Sequence, residues 1–100
     1  MPHYSMVMIT PTDESWIPAY LDAVTPLVAK YGGKYLARTA DFRHIEGDSK
    51  DPALCVLLEW PSKEAFDGFY NDPDYQPHLK ARLAGCGSDF FSVEGKDDMA

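Results

Sequence analysis

The hydrophobic pattern of the chain runs twice through the same cycle: a period of two, a period near 3.6, then a period of two again. His3 to Thr10, rich in Met, Val and Ile, reads as a strand with Tyr4, Met6 and Met8 on one face and Val7 and Ile9 on the other. It stops at Pro11, ahead of the polar cluster Thr12-Asp13-Glu14-Ser15. Ile17, Tyr20, Leu21, Val24, Leu27, Val28 and Tyr31 then recur at steps of three and four, which puts them on one face of a helix. With Ser15 as N-cap, Pro18 falls in the first turn, where amide donors have no helical partner. Pro26 lies deeper and predicts a bend near Asp22. Gly32 and Gly33 supply the left-handed cap that reverses the chain into a second strand, Lys34 to Phe42.

The polar stretch Arg43 to Pro52 reads as the loop that joins the two halves. Ala53 to Trp60 is apolar on both pleat faces over most of its length, the pattern of a central strand covered on both sides. Pro61 stops it, Ser62 is suited to cap a helix, and Phe66, Phe69 and Tyr70 form one face of a short helix. Asn71-Asp72-Pro73 interrupts that helix. Tyr75, Leu79 and Leu83 mark another helical piece ending at Gly85 or Gly87, with Pro77 expected to set a single turn apart from it. Ser88 to Glu94 reads as the fourth strand, with Phe90 and Phe91 on opposite faces, and residues 95–100 as a frayed acidic tail.

Strand-helix-strand twice over predicts an α+β, ferredoxin-like βαββαβ domain spanning residues 1–100, with its core over about 3–94. Four antiparallel strands would carry the helices on one face and leave the other bare. Because the first and third strands are apolar on that second face as well, it would be a large exposed apolar patch, which soluble monomers avoid. A second copy packed sheet to sheet is therefore expected, giving a homodimer. A small ligand on the same face is the alternative.

Composition narrows the partners. One hundred residues make one domain, and 45% hydrophobic with 25% charged residues excludes a disordered chain. Nine Lys plus Arg against 16 Asp plus Glu give a net charge of -7, a field that repels phosphate backbones and anionic lipid, so neither nucleic acid nor membrane is an expected partner. Cys55 and Cys86 are too far apart for a CxxC pair and too few for a disulfide framework, and are expected as reduced thiols. With no basic segment at the N-terminus and no apolar run longer than Ala53 to Leu58, a cytoplasmic protein is expected.

Several chemistries are unsupported. Gly32-Gly33 and Gly85-Cys86-Gly87 follow helices and precede strands, whereas a phosphate-cradling loop follows a strand and opens a helix. His3, His44 and His78 sit in three separate segments without ligand spacing, so no metal site is expected. Glu59 closes the most apolar strand, and a carboxylate near a low-dielectric interior holds its proton more tightly, as a general acid or base must at neutral pH. Arg38 or Arg82 could instead pair with it as a structural ion pair. Tyr20, Tyr35, Tyr70 and Tyr75 form a second cluster, since converging phenols can orient an oxygen-bearing ligand as well as pack a core. Trp16 and Trp60 read as packing residues and His78 as a surface residue.

Tyr20, Tyr31-Gly32-Gly33-Lys34-Tyr35-Leu36-Ala37-Arg38, Glu46-Gly47, Leu58-Glu59-Trp60-Pro61-Ser62 with Ala65, Phe69-Tyr70-Asn71-Asp72-Pro73-Asp74-Tyr75-Gln76 and Arg82, taken in order, resemble the successive motifs of the DUF1330 family. The resemblance covers nearly the whole chain and implies a dimeric α+β barrel in which two ferredoxin-like subunits pack sheet to sheet. Two departures stand out: Arg38-Thr39-Ala40 where the family typically has Arg-Gly-Gly, and Phe69 where it often has Trp. Similar folds in the wider superfamily serve cofactor-free monooxygenases, polyketide cyclases, muconolactone isomerases and haem-degrading enzymes, so the fold alone does not name a reaction.

Two functions follow as expectations. The first is an enzyme without metal or cofactor, of isomerase, cyclase or monooxygenase type. It would act on a small organic acid or a phenolic or enolic substrate in a cleft between sheet and helices. Glu59 would shuttle the proton, Arg38 and Arg82 would hold the anionic group, and Tyr20, Tyr70 and Tyr75 would supply hydroxyl contacts. The alternative is a non-catalytic homodimer that binds a small ligand or a protein, with the same residues forming a structural network. Haem is disfavoured because no histidine has an evident proximal role.

Overall fold

The computed structural model describes all 100 residues. Strand β1 (His3–Pro11) leads into helix α1 (Ile17–Lys30), strand β2 (Lys34–Thr39) and, after a long loop, strand β3 (Leu54–Trp60). Helices α2 (Lys63–Tyr70) and α3 (Gln76–Gly85) follow, and strand β4 (Cys86–Glu94) closes the chain. The four strands form one antiparallel sheet in the order β2-β3-β1-β4, so the two most apolar strands occupy its centre. This is the α+β ferredoxin-like architecture, with the second helical segment split in two.

Local chemistry explains where the elements begin and end. The Asp13 carboxylate accepts hydrogen bonds from the Ser15 amide at 3.0 Å and hydroxyl at 2.9 Å. Ser15 is thereby held in the preceding turn, and α1 starts one residue later than its sequence suggests, with Trp16 at the N-cap and Pro18 still in the first turn. Helix α1 continues through Pro26 without a break; the proline sits on its exposed side, and the buried stripe of Val24, Leu27 and Val28 runs across it. Gly32 has φ of 80°, the left-handed turn that ends the helix. Gly33 is needed for a different reason: a Cβ there would lie 2.7 Å from Val28 Cγ1 and 2.8 Å from the Trp60 ring. Ser62 caps α2 by accepting from the Ala65 amide at 3.1 Å. Pro77 opens α3 instead of separating a turn from it, since its ring is tolerated in a first turn. Strand β2 stops at Thr39, short of Phe42, and β4 begins directly at Cys86.

The core lies on one side of the sheet. Val7, Val56, Leu58 and Trp60 rise from the strands to meet Val24, Leu27 and Val28 of α1, Phe66 and Phe69 of α2, Tyr75 and Leu79. The indole of Trp60 donates to the Ser5 hydroxyl at 3.0 Å, so the one polar atom of this buried ring is satisfied inside the core. On the opposite face Ala37, Leu57, Met6 and Phe91 line up as cross-strand partners, flanked by Val93, and no element of the chain covers them. Phe90 and Phe91 take opposite faces, Phe90 toward the helices and Phe91, 54% exposed, away from them. Cys55 and Cys86 are both free thiols. No helix is long and apolar enough to cross a membrane.

Candidate functional site

Between the sheet and helices α1 and α3 lies a cavity of about 110 Å³. Its floor is Val7, Val56 and Leu58, its roof Ile17, Leu21 and Val24 of α1, and 16 of its 19 lining residues are hydrophobic, which fits an apolar ligand body. The polar groups on the wall are few: the hydroxyls of Tyr20, Tyr35 and Tyr75, the indole of Trp16, and the guanidinium groups of Arg38 and Arg82.

Tyr20 comes from α1 and Tyr75 from the residue before α3, and their hydroxyls are 3.0 Å apart. Tyr75 is fully buried, packed against Phe69 with ring centroids 4.5 Å apart. Burial first, and the facing Tyr75 hydroxyl second, push the Tyr20 phenol far above its ordinary value, so it stays a neutral phenol. Burial also raises Tyr35, against the lowering pull of Arg38.

Arg82 projects from the last turn of α3 and is only 2% exposed. Its Nη1 donates to the Ser88 hydroxyl at 2.8 Å, and its guanidinium lies 5.8 Å from the Phe90 ring. Its Nε, also buried, has no hydrogen-bond partner, and none of the ion pairs of the chain includes it. Burial works against its charge, yet the nearby Tyr75 and Tyr20 oxygens outweigh that and hold its proton more tightly than usual. A buried cation without a counter-ion or a partner for one N–H is costly unless something anionic completes it.

Arg38 reaches the cavity through an irregularity. Regular alternation would put Arg38 on the same face as Lys34, away from the helices. A β-bulge between Tyr35 and Ala37 reverses the parity, so that Tyr35 pairs with Leu58, Arg38 pairs with Val56, and both face the cavity. Arg38 is exposed at the rim, its guanidinium 3.9 Å from the centre of the Tyr35 ring and its Nη1 donating to Thr25 Oγ1 at 3.0 Å.

The structure therefore brings four of the six residues singled out from the sequence, Tyr20, Arg38, Tyr75 and Arg82, to one cavity. Tyr70 stands behind its wall, with its ring 5.8 Å from Tyr75 and 5.9 Å from Phe90. Glu59 is not there, which corrects the expectation of a carboxylate in the cleft. Strand pleating alternates faces, and since Leu58 and Trp60 point to the helices, Glu59 points to the open face between its cross-strand partners Tyr4 and Lys34. It borders a separate hollow of about 290 Å³ with Met1, Pro2 and Lys34, and it forms an ion pair with neither Arg38 nor Arg82. Trp16 and Trp60, read from the sequence as packing residues, Tyr35 of the tyrosine cluster, and Phe90, placed only on one face of the fourth strand, join the cavity wall. The bulge that turns Arg38 inward left no mark in the sequence pattern.

A sequence model of DUF1330, a domain of unknown function, matches residues 2–96. The chain belongs to this family. No curated protein matches it. Among solved structures, this DUF1330 chain is similar to a protein of unknown function from Rhodopseudomonas palustris, with 18% identity, a TM-score of 0.80, and 96% of this chain and 83% of that one covered. It is also similar to a dimeric ferredoxin-like protein of unknown function from Jannaschia sp. CCS1, with 20% identity, a TM-score of 0.64, and 94% and 99% covered. A third is SnoaB, a cofactor-independent oxygenase from Streptomyces nogalater, with 16% identity, a TM-score of 0.63, and 98% and 96% covered. At these identities the likeness establishes the fold.

Proposed function

We propose that the cavity binds a small organic acid, phenol or enol with an apolar body and holds it as the anion, with Arg82 as the charge partner and the hydrogen-bonded Tyr20–Tyr75 hydroxyl pair, which keeps one proton free, as the orienting donor. The observation that carries this reading is the buried Arg82 guanidinium on the wall of a mainly apolar cavity, with no carboxylate partner and with an Nε that has no hydrogen-bond partner. In such a low-dielectric site a fixed positive charge stabilises an enolate or phenolate far more than water would. It therefore acidifies the bound ligand without metal or cofactor. That is the opening step of cofactor-independent chemistry on an enolisable substrate, and SnoaB, a cofactor-independent oxygenase, shares the fold.

A purely binding role is the second reading, and one observation favours it: no Asp, Glu or His lines the cavity, so no side chain there is an obvious general base. On the first reading the proton leaves to solvent at the rim, or to a base on the substrate itself.

The open sheet face belongs to the same proposal. A second copy covers Ala37, Leu57, Met6, Phe91 and Val93, completing a sheet-to-sheet dimer. The support is the exposure of Met6, Leu57, Phe91 and Val93 beside the half-buried Ala37 in a cross-strand patch, and similar folds described as dimeric. The free thiols fit a reducing, cytoplasmic setting.

Para-nitrophenol tests the site directly, because its anion is yellow and its phenol is not. Titrated with the protein present, the bound probe is expected to ionise at a lower pH than the free probe, and Arg82→Gln to abolish the difference. A bound probe that ionises at the same or a higher pH overturns the reading.

A further inference from the structure

Four cross-strand partners on the cavity side of the sheet lie in one row: Arg38 on β2, Val56 on β3, Val7 on β1 and Phe90 on β4. With neighbouring strands about 4.8 Å apart, the row runs roughly 14 Å from edge to edge. The two cavity cations stand at its two ends. Arg38 stands at one end, and at the other the Arg82 guanidinium sits over the face of Phe90, pinned by Ser88 two residues earlier on the same strand. Between them the floor is two valines. The row is thus a strip of apolar surface with a guanidinium at each end, one buried and one at the rim.

The two cations are held differently. Arg82 is buried with its Nε unspent. Arg38 is exposed, but the Tyr35 ring and the Thr25 hydroxyl fix its direction, and the bulge beside Leu36 aims it at the cavity and not at the open face. A guanidinium fixed in this way still has free donors in a geometry that suits a carboxylate. A ligand charged at one end only would leave the rim cation unused, and a ligand without an apolar middle would not fit the valine floor.

We propose that the ligand of this cavity is an organic dianion, a dicarboxylate or a carboxylate paired with an enolate or phenolate, lying along the Arg38–Val56–Val7–Phe90 row. One anionic group meets Arg82 inside and the other meets Arg38 at the rim. This rests on the anion-binding reading above and narrows it: Arg38 sets the specificity for the second charge, and the net charge of -7 on the whole chain is overcome locally by the two guanidinium groups.

Isothermal titration of the full chain with terephthalate against benzoate, and with adipate against hexanoate, tests the proposal with a rigid and a flexible body. In at least one pair the dianion is expected to bind about tenfold more tightly than its monoanion, the effect of one charge-assisted contact. Arg38→Met, a change at an exposed position, should lower dianion affinity about tenfold relative to that of the paired monoanion and so remove the advantage. If neither dianion exceeds its monoanion, or if Arg38→Met weakens both members of a pair alike, the two-charge proposal is overturned while the anion-binding reading stands. If no anion binds and Arg82→Gln leaves para-nitrophenol unaffected, both fall together.

Discussion

The Tyr20 and Tyr75 hydroxyls meet at 3.0 Å, joining the first turn of α1 to the start of α3 across the cavity. Tyr20 has no other hydrogen-bond partner, so Tyr75→Phe should leave a largely buried phenol unpaired. A loss of about 1 kcal/mol is expected by urea denaturation. The pH dependence has a definite sign. The Tyr20 phenol is raised above its unfolded value of about 10, chiefly by burial, so its neutral form is favoured by folding. That contribution is complete below the unfolded value and is lost as the pH climbs above it. Urea midpoints followed into the alkaline range should fall less steeply for Tyr20→Phe than for the parent chain.

Ser5 and Trp60 form a second buried pair, with the indole N–H donating to the serine hydroxyl. Ser5→Ala removes the acceptor and leaves that N–H stranded among apolar side chains. The expected cost is about 1–3 kcal/mol, the penalty for an unsatisfied buried donor. Ser5→Thr, which keeps the hydroxyl, should recover part of it in the same denaturation experiment.

His44 and Asp51 staple the long loop between β2 and β3, with Nδ1 and Oδ1 2.5 Å apart. The Asp51 hydrogen bond raises the His44 imidazole above its ordinary value, against a smaller opposing effect of burial. The staple is therefore complete below the unfolded histidine value of about 6.5 and is released as the pH rises through the higher folded value. In a titration of the histidine ring signals by NMR, Asp51→Asn should bring His44 back toward its ordinary value. An unchanged His44 midpoint would exclude the staple.

Leu57 is 41% exposed at the centre of the open sheet face, paired with Met6 and Ala37. Leu57→Glu should convert the proposed dimer to monomer in analytical ultracentrifugation, with the helix content by circular dichroism retained. Glu59→Gln, on the same face and away from the cavity, should leave para-nitrophenol binding within about twofold, because the two faces are separated by the thickness of the sheet. A large loss on Glu59→Gln would instead return that carboxylate to the site.

Much of the fold was legible because the signals that encode it are local. Alternation in β1 and β3, the stripe Val24-Leu27-Val28, the Gly32 turn, the Ser62 cap and the Asn71-Asp72-Pro73 break all act within a few residues. Misplaced boundaries had local causes as well. Asp13 engages Ser15 two residues ahead of α1, and Pro77 serves as a helix opener where an interruption was expected. The candidate site was half legible. Tyr20 on the apolar stripe and Tyr75 beside the helix break were marked by position, and Arg82 by its place on the last helix. Glu59 was marked by its apolar neighbours, yet an apolar run on both faces cannot say which face its last polar residue takes; the hydrogen-bond register with β1 and β2 does.

The chain by itself determined the order and type of its elements and the existence of two apolar sheet faces, because periodicity, glycine turns and proline breaks depend only on near neighbours. Tertiary structure alone decided which polar groups meet. The bulge that turns Arg38 toward the helices exists only in the pairing of β2 with β3. The burial of Arg82 depends on α3 settling against β4. The cavity between them is a gap left by side chains distant in sequence, and its charge pattern emerges only when the strands are in register.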